Sequence, residues 1–143
     1  MSRASQNPQE ATQLVPVYTK TTNSICVSVQ VGAVLDDCSL ADNVFSFSYT
    51  ITIKNLGQET VQLLERHWII TSAGNFFDEV VGDGVVGLQP NIEKGESFEY
   101  TSGAIIENAF GSMKGSYTMR SASGKFFDVE IPEFELIHPD ALH

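Results

Sequence analysis

The chain has 143 residues, 42% of them apolar, with 18 acidic and 8 basic residues and a formal charge of −10. That length suits one domain burying roughly 68–70% of its unfolded surface, and the apolar fraction excludes a disordered chain. A fixed negative field argues against nucleic-acid backbones and anionic membranes as partners, and no apolar run reaches the ~20 residues of a membrane helix.

Met1 to Thr12 is polar and lacks the apolar core of a signal peptide, so a cytoplasmic location is expected. Residues 1–15 read as a flexible tail ahead of a domain over 16–143. Ile25, Val27, Val29 and Val31 then alternate with Cys26, Ser28 and Gln30, the signature of a half-buried strand. Cys26 falls at an outward position and Cys38 in a loop. Two cysteines are too few for a disulfide scaffold, and both are expected to be reduced thiols without a catalytic role.

From Val44 to Asn55 the alternation is clearest. Phe45, Phe47, Tyr49, Ile51 and Ile53 share one face of a strand, whereas a helix would scatter them. Asn55 to Gly57 breaks the run as a turn. Val61 to Thr71 is apolar on both faces near its middle, through Leu63, Leu64, Trp68, Ile69 and Ile70. It reads as a central strand covered on both sides, or one with a functional outer face. After a turn at Gly74-Asn75, a short strand over Phe76–Val81 leads into the glycine-rich loop Gly82–Gly87. Pro90 and Lys94-Gly95 mark further turns. Strands follow over Ser97–Ile106, Ser112–Ser121 and Phe126–Ile131, with a hairpin turn at Ser123–Lys125. Pro132 interrupts the last strand, and Phe134 and Leu136 resume it as an edge strand would.

Seven or eight strands with turns between them, and no helical periodicity, predict an all-β sandwich or small barrel. Phe76-Phe77 and Phe126-Phe127 each place one phenylalanine on either face, so one of each pair is expected to be exposed unless both faces are covered.

The chemistry-bearing residues are few. Gly82, Gly84 and Gly87 fit G-x-G-x-x-G, but Leu88-Gln89-Pro90 leaves no room for the helix that a dinucleotide site requires. Two readings of the loop remain: glycines needed for positive φ or close backbone approach, or an anion nest of backbone N–H groups. Arg66 and His67 are adjacent and must face opposite sides of their strand. Arg66 could pair with Glu65 or Glu79, or face an anion at the glycine loop, with Trp68 on the same face to shield it. His67 reads either as a ligand-binding residue or as a hydrogen-bonded structural histidine. Gly111–Gly115 places its serine one position early for a nucleophile elbow. His67, His138 and His143 lack metal-site spacing, and Asp36, Asp37 and Asp42 lack the glycine and distal glutamate of a calcium loop. No catalytic group, metal or cofactor is therefore expected.

Several runs together resemble the ApaG family: Tyr49-Thr-Ile-Thr-Ile-Lys-Asn55, Val61-Gln-Leu-Leu-Glu-Arg-His-Trp-Ile-Ile-Thr71, Val81-Gly-Asp-Gly-Val-Val-Gly-Leu-Gln-Pro90, Gly111-Ser-Met-Lys-Gly-Ser-Tyr117 and Ile131-Pro-Glu-Phe134. The resemblance covers roughly residues 15–140. It departs at Ser72–Gly74, where the family more often has an acid after the threonine. It implies a fibronectin type III-like (immunoglobulin-like) sandwich of two antiparallel sheets with about seven strands. It also implies a link to cobalt resistance and magnesium efflux, and a role in protein–protein recognition with a protein partner not yet identified. The alternative it implies is a phosphate, pyrophosphate or nucleotide ligand at Gly82, Gly84 and Gly87, with Arg66 and His67 nearby.

Overall fold

In the computed structural model, which describes residues 17–34 and 44–139, the alternating segments form nine strands. They are β1 (Val17–Thr22), β2 (Ile25–Ala33), β3 (Phe45–Asn55), β4 (Val61–Ser72), β5 (Asn75–Asp83), β6 (Asn91–Ile92), β7 (Ser97–Ile106), β8 (Phe110–Ser121) and β9 (Phe126–Ile137). One antiparallel sheet has the order β1-β2-β3-β7. The other runs β9-β8-β4-β5, with β6 also paired to β4. The two sheets make the expected sandwich. Cys38, Asp36, Asp37, Asp42 and the proposed tail over 1–15 lie outside the described residues.

The core is built from the inward rows. Phe45, Phe47, Tyr49, Ile51 and Ile53 of β3 are all buried, as are Ile25, Val27 and Val29 of β2. Each such side chain stabilises the fold by about 1.5–3 kcal/mol over its exposed state. A one-residue register slip would turn the whole row outward, which fixes the pairing. Cys26 takes the outward position its spacing predicts and is a free thiol.

Two strands escape the alternation pattern. In β1 neither face is consistently apolar, and the strand is held by a two-residue turn at Asn23 (φ 51°) and Ser24 (φ 67°) into β2. Positive φ at both central residues is the hairpin geometry matched to strand twist. β6 is two residues long, with Ile92 as its buried anchor.

Bulges explain the residues that looked apolar on both faces. In β4 the register shifts between Leu63 and Glu65. Val61 and Leu63 point inward before the shift, and Trp68, Ile70 and Ser72 do so after it. The strand is therefore not covered on both sides: Leu64 and Ile69 are only half-buried. In β9 a second shift between Ile131 and Phe134 spans Pro132, moving the buried set from Val129 and Ile131 to Phe134 and Leu136. Pro132 sits where a bulge and an outer strand tolerate its missing N–H. Phe76 and Phe126 are 67% and 61% exposed, while Phe77 and Phe127 pack on the core.

β9 packs against β1 and β2 and closes one side of the sandwich, aided by the Lys20–Glu130 ion pair. On the other side the outer strands are β5 and β7. The glycine-rich loop belongs to that side.

Candidate functional site

β5 and β6 lie in line along the same edge of β4. Asp83 pairs with Glu65, and Asn91 with Gln62. Residues 84–90 are thus an excursion from an interrupted edge strand, which is why no helix follows the glycines. The bulge in β4 anchors this excursion. The Leu64 carbonyl accepts from Gly84 N (2.7 Å) and from Gln89 Nε2 (2.9 Å), and Leu63 N donates to Pro90 O (3.0 Å).

The tip is a two-residue hairpin. Val85 and Leu88 exchange backbone hydrogen bonds of 2.8 Å in both directions around Val86 (φ 42°) and Gly87 (φ 81°). A β-branched residue at positive φ carries backbone strain, a feature that clusters at binding sites. Val85 is buried in the core while Val86 and Leu88 are exposed. Gly84 has φ +64°, and a Cβ there would lie 2.2 Å from the Leu88 carbonyl oxygen, so both conformation and space demand glycine. The amides of Gly84, Val85 and Leu88 are already donated within the fold, so the loop keeps only part of the N–H set an anion nest would use.

Arg66 follows the bulge and faces inward, on the same side as Trp68. Its guanidinium lies flat over Gly82, where a Cβ would meet Nη1, Cζ and Nη2 at 2.9–3.0 Å. Nη1 donates to Asp83 O (3.0 Å) and Gly84 O (2.9 Å). Its recorded partners are these carbonyls rather than Glu65 or Glu79. Both bonds use Nη1, so the Nη2 and Nε donors are not spent on the loop.

Beside the guanidinium is a pocket of about 200 Å³ between the sheets, lined by Tyr49, Arg66, Trp68, Val85, Val86, Gly87, Tyr100 and Ser102. Tyr100 and Tyr117 hydroxyls are 2.5 Å apart, and Tyr117 is fully buried behind the pocket. Two hydroxyls joined by one hydrogen bond retain one further proton to donate. Burial drives the Tyr49, Tyr100 and Tyr117 hydroxyls above the ordinary phenol value, opposed on the first two by their hydrogen bonds with Ser102 and Tyr117 and, more weakly, by Arg66. All three therefore stay protonated donors at neutral pH.

Gly82, Gly84, Gly87 and Arg66 are thus brought together, although Gly82 and Gly84 serve the loop's geometry and only Gly87 reaches the pocket. His67 is not part of it. It points to the outer face of the sheet, where Nε2 is 2.6 Å from Glu79 Oε2. Tyr49, Tyr100, Ser102 and Trp68 were missed as candidate ligand residues. Their signal was present: tyrosines at inward positions of otherwise apolar rows must find partners for their hydroxyls.

The model of the ApaG domain matches residues 36–121. A protein ApaG of Dechloromonas aromatica is 54% identical over 99 residues, covering 69% of this chain and 78% of its own length. One from a Bradyrhizobium species is 48% identical over 124 residues, covering 87% and 95%. Among solved structures, the putative ApaA protein of Bordetella pertussis superimposes with a TM-score of 0.77 at 38% identity, covering 85% of this chain and 96% of that one. A structural-genomics target gives a TM-score of 0.78 at 45% identity, covering 85% and 92%. A single sandwich spanning the relatives nearly end to end, with the glycine loop and the Arg66 strand inside the matched segment, makes this chain a member of the ApaG family.

Proposed function

We propose that this domain is a non-catalytic recognition module that docks an anionic group of its partner or ligand in the pocket beside Arg66. The observation that carries the reading is the surplus of donors there. The unspent guanidinium nitrogens, a spare proton of the Tyr100–Tyr117 pair, and one of the hydrogen-bonded Tyr49–Ser102 pair converge on one partly buried space. A donor-rich, partly desolvated site holding one cation is complementary to an oxyanion. The His67–Glu79 pair, the nearest thing to a general base, lies on the opposite face of β4 and does not share the pocket.

Among the described residues no three His, Cys, Asp and Glu side chains are grouped to hold a metal ion. In this reading the link to cobalt and magnesium that the resemblance implies runs through the partner or ligand docked beside Arg66. A small phosphate ligand is the second form of the same reading, favoured by Gly87 standing beside Arg66. The test is an NMR titration with acetate, phosphate, pyrophosphate and ATP at millimolar concentration, with and without Mg²⁺. Shifts should gather at Arg66 Nε–H, Gly87 and Ser102. If no oxyanion moves them, the reading fails.

A further inference from the structure

Resting on that reading, we infer that the anion taken by the pocket is the C-terminal carboxylate of an extended peptide whose backbone adds to the outer edge of β7. The first argument is charge. The pocket presents one guanidinium on a chain of net charge −10, with exposed Glu65 and Asp83 close by on the strands that carry it. One guanidinium fork matches one carboxylate, whereas a polyphosphate would bring several further charges into a repulsive field.

The second argument is size and lining. At about 200 Å³ the space is below the roughly 300–1,000 Å³ of sites that enclose a small molecule or cofactor. Only the end of a ligand enters. The walls pair donors with the apolar surfaces of Trp68, Val85 and Val86, which suits a carboxylate attached to an apolar terminal residue.

The third argument is the strand that forms the pocket's rim. β7 is the outer strand of its sheet and, among the described residues, pairs only with β3. Natural edge strands are protected by charges, prolines, bulges or short length. β7 has none of these over Tyr100–Ile106: it is ten residues long, in unbroken register with β3 from Ser97 to Ile106, and uncharged after Glu99. The edge of the other sheet, β5, is protected in the usual way, carrying Asp78, Glu79 and Asp83 and a register shift. An unprotected edge, uncharged from Tyr100 to Ile106, that begins beside a cationic pocket lined by Tyr100 and Ser102 fits strand addition combined with capture of a chain terminus.

The experiment compares N-acetylated hexapeptides randomised in their last three positions, as free acids and as C-terminal amides, added to the full-length protein and followed by NMR and hydrogen exchange. Free acids should shift Arg66 Nε–H and Ser102 and slow exchange of β7 edge amides. Amidation should weaken this about tenfold or more, the loss expected for a charge-assisted hydrogen bond. Arg66→Gln should abolish the discrimination. Tyr100→Phe, which leaves the loop's anchors intact, should reduce it. Equal response to acid and amide overturns the inference, as does self-association through β7 that shuts peptides out. Pyrophosphate shifts without any peptide response also overturn it while sparing the recognition reading. Silence to every anion defeats both.

Discussion

The Tyr100–Tyr117 pair allows the energetics of the site to be tested with three phenylalanine variants. Both hydroxyls lie in one 2.5 Å hydrogen bond, but their surroundings differ. Tyr117 is 0% exposed, enclosed between the sheets, whereas Tyr100 also lines the pocket. Tyr100→Phe strands the Tyr117 hydroxyl in the core without a partner, at a cost of about 1–3 kcal/mol. Tyr117→Phe leaves the Tyr100 hydroxyl facing a space that water can enter, so the cost is about 1 kcal/mol or less. The double variant replaces both partners by apolar groups of the same shape and should cost less than Tyr100→Phe alone. Urea unfolding of the four proteins gives the cycle, provided m is unchanged. Additive single effects, or a Tyr117→Phe cost larger than that of Tyr100→Phe, would refute the asymmetry argued here.

Three further outcomes follow from the same geometry. Asn55 is fully buried, donating from Nδ2 to Glu59 O (2.8 Å) and Ile92 O (2.9 Å) and accepting from Gly57 N (2.9 Å). Asn55→Ala loses all three bonds and should cost about 2–4 kcal/mol in denaturant unfolding, at roughly 1 kcal/mol per bond plus the penalty of leaving their buried partners unsatisfied. Gly84→Ala adds a Cβ against a backbone oxygen at positive φ and should destabilise by about 2 kcal/mol or more, with hydrogen-exchange acceleration focused on residues 84–90. Burial raises the folded pKa of Tyr49, Tyr100 and Tyr117 above 10.0, so above pH 10 the unfolded chain releases tyrosine protons that the native chain retains. Stability from these groups is fully present below pH 10 and falls as pH rises beyond it, by up to about 1.4 kcal/mol per unit per group. A pH-independent midpoint between pH 9.5 and 11 would contradict this.

The sandwich was legible because β2, β3 and β8 alternate without ambiguity. Phe45 to Ile53 admits only one face, and the inward row Met113, Tyr117 and Met119 is spaced the same way. What the sequence conceals is whatever depends on pairing rather than pattern. β1 carries no apolar row of its own, and its existence depends on β2 being there to receive it. β6 is too short for any periodicity. The pocket was half legible. Arg66 and the glycines stand out as residue types, but Tyr49, Ser102 and Tyr100 come from strands distant in sequence. They meet Arg66 only because Tyr49 pairs with Ser102 and Ile51 with Tyr100 across β3 and β7.

Which of Arg66 and His67 faces inward was not decidable from adjacency, and the bulge at Leu64 decides it. Counting from Val61 and Leu63 in strict alternation, the inward set would continue through Glu65, His67, Ile69 and Thr71. That would bury a carboxylate and an imidazole and expose Trp68, an arrangement with a large desolvation cost. One extra residue reverses the phase, so that Trp68 and Ile70 are buried and Arg66 faces the pocket between the sheets. The same irregularity also turns the Leu64 carbonyl toward the loop, where it holds Gly84 and Gln89. The guanidinium then closes the arrangement by holding the carbonyls of Asp83 and Gly84. Hydrophobic burial in the core and placement of the cation are thus satisfied by one bulge, consistent with the tendency of bulges to re-aim side chains at binding sites.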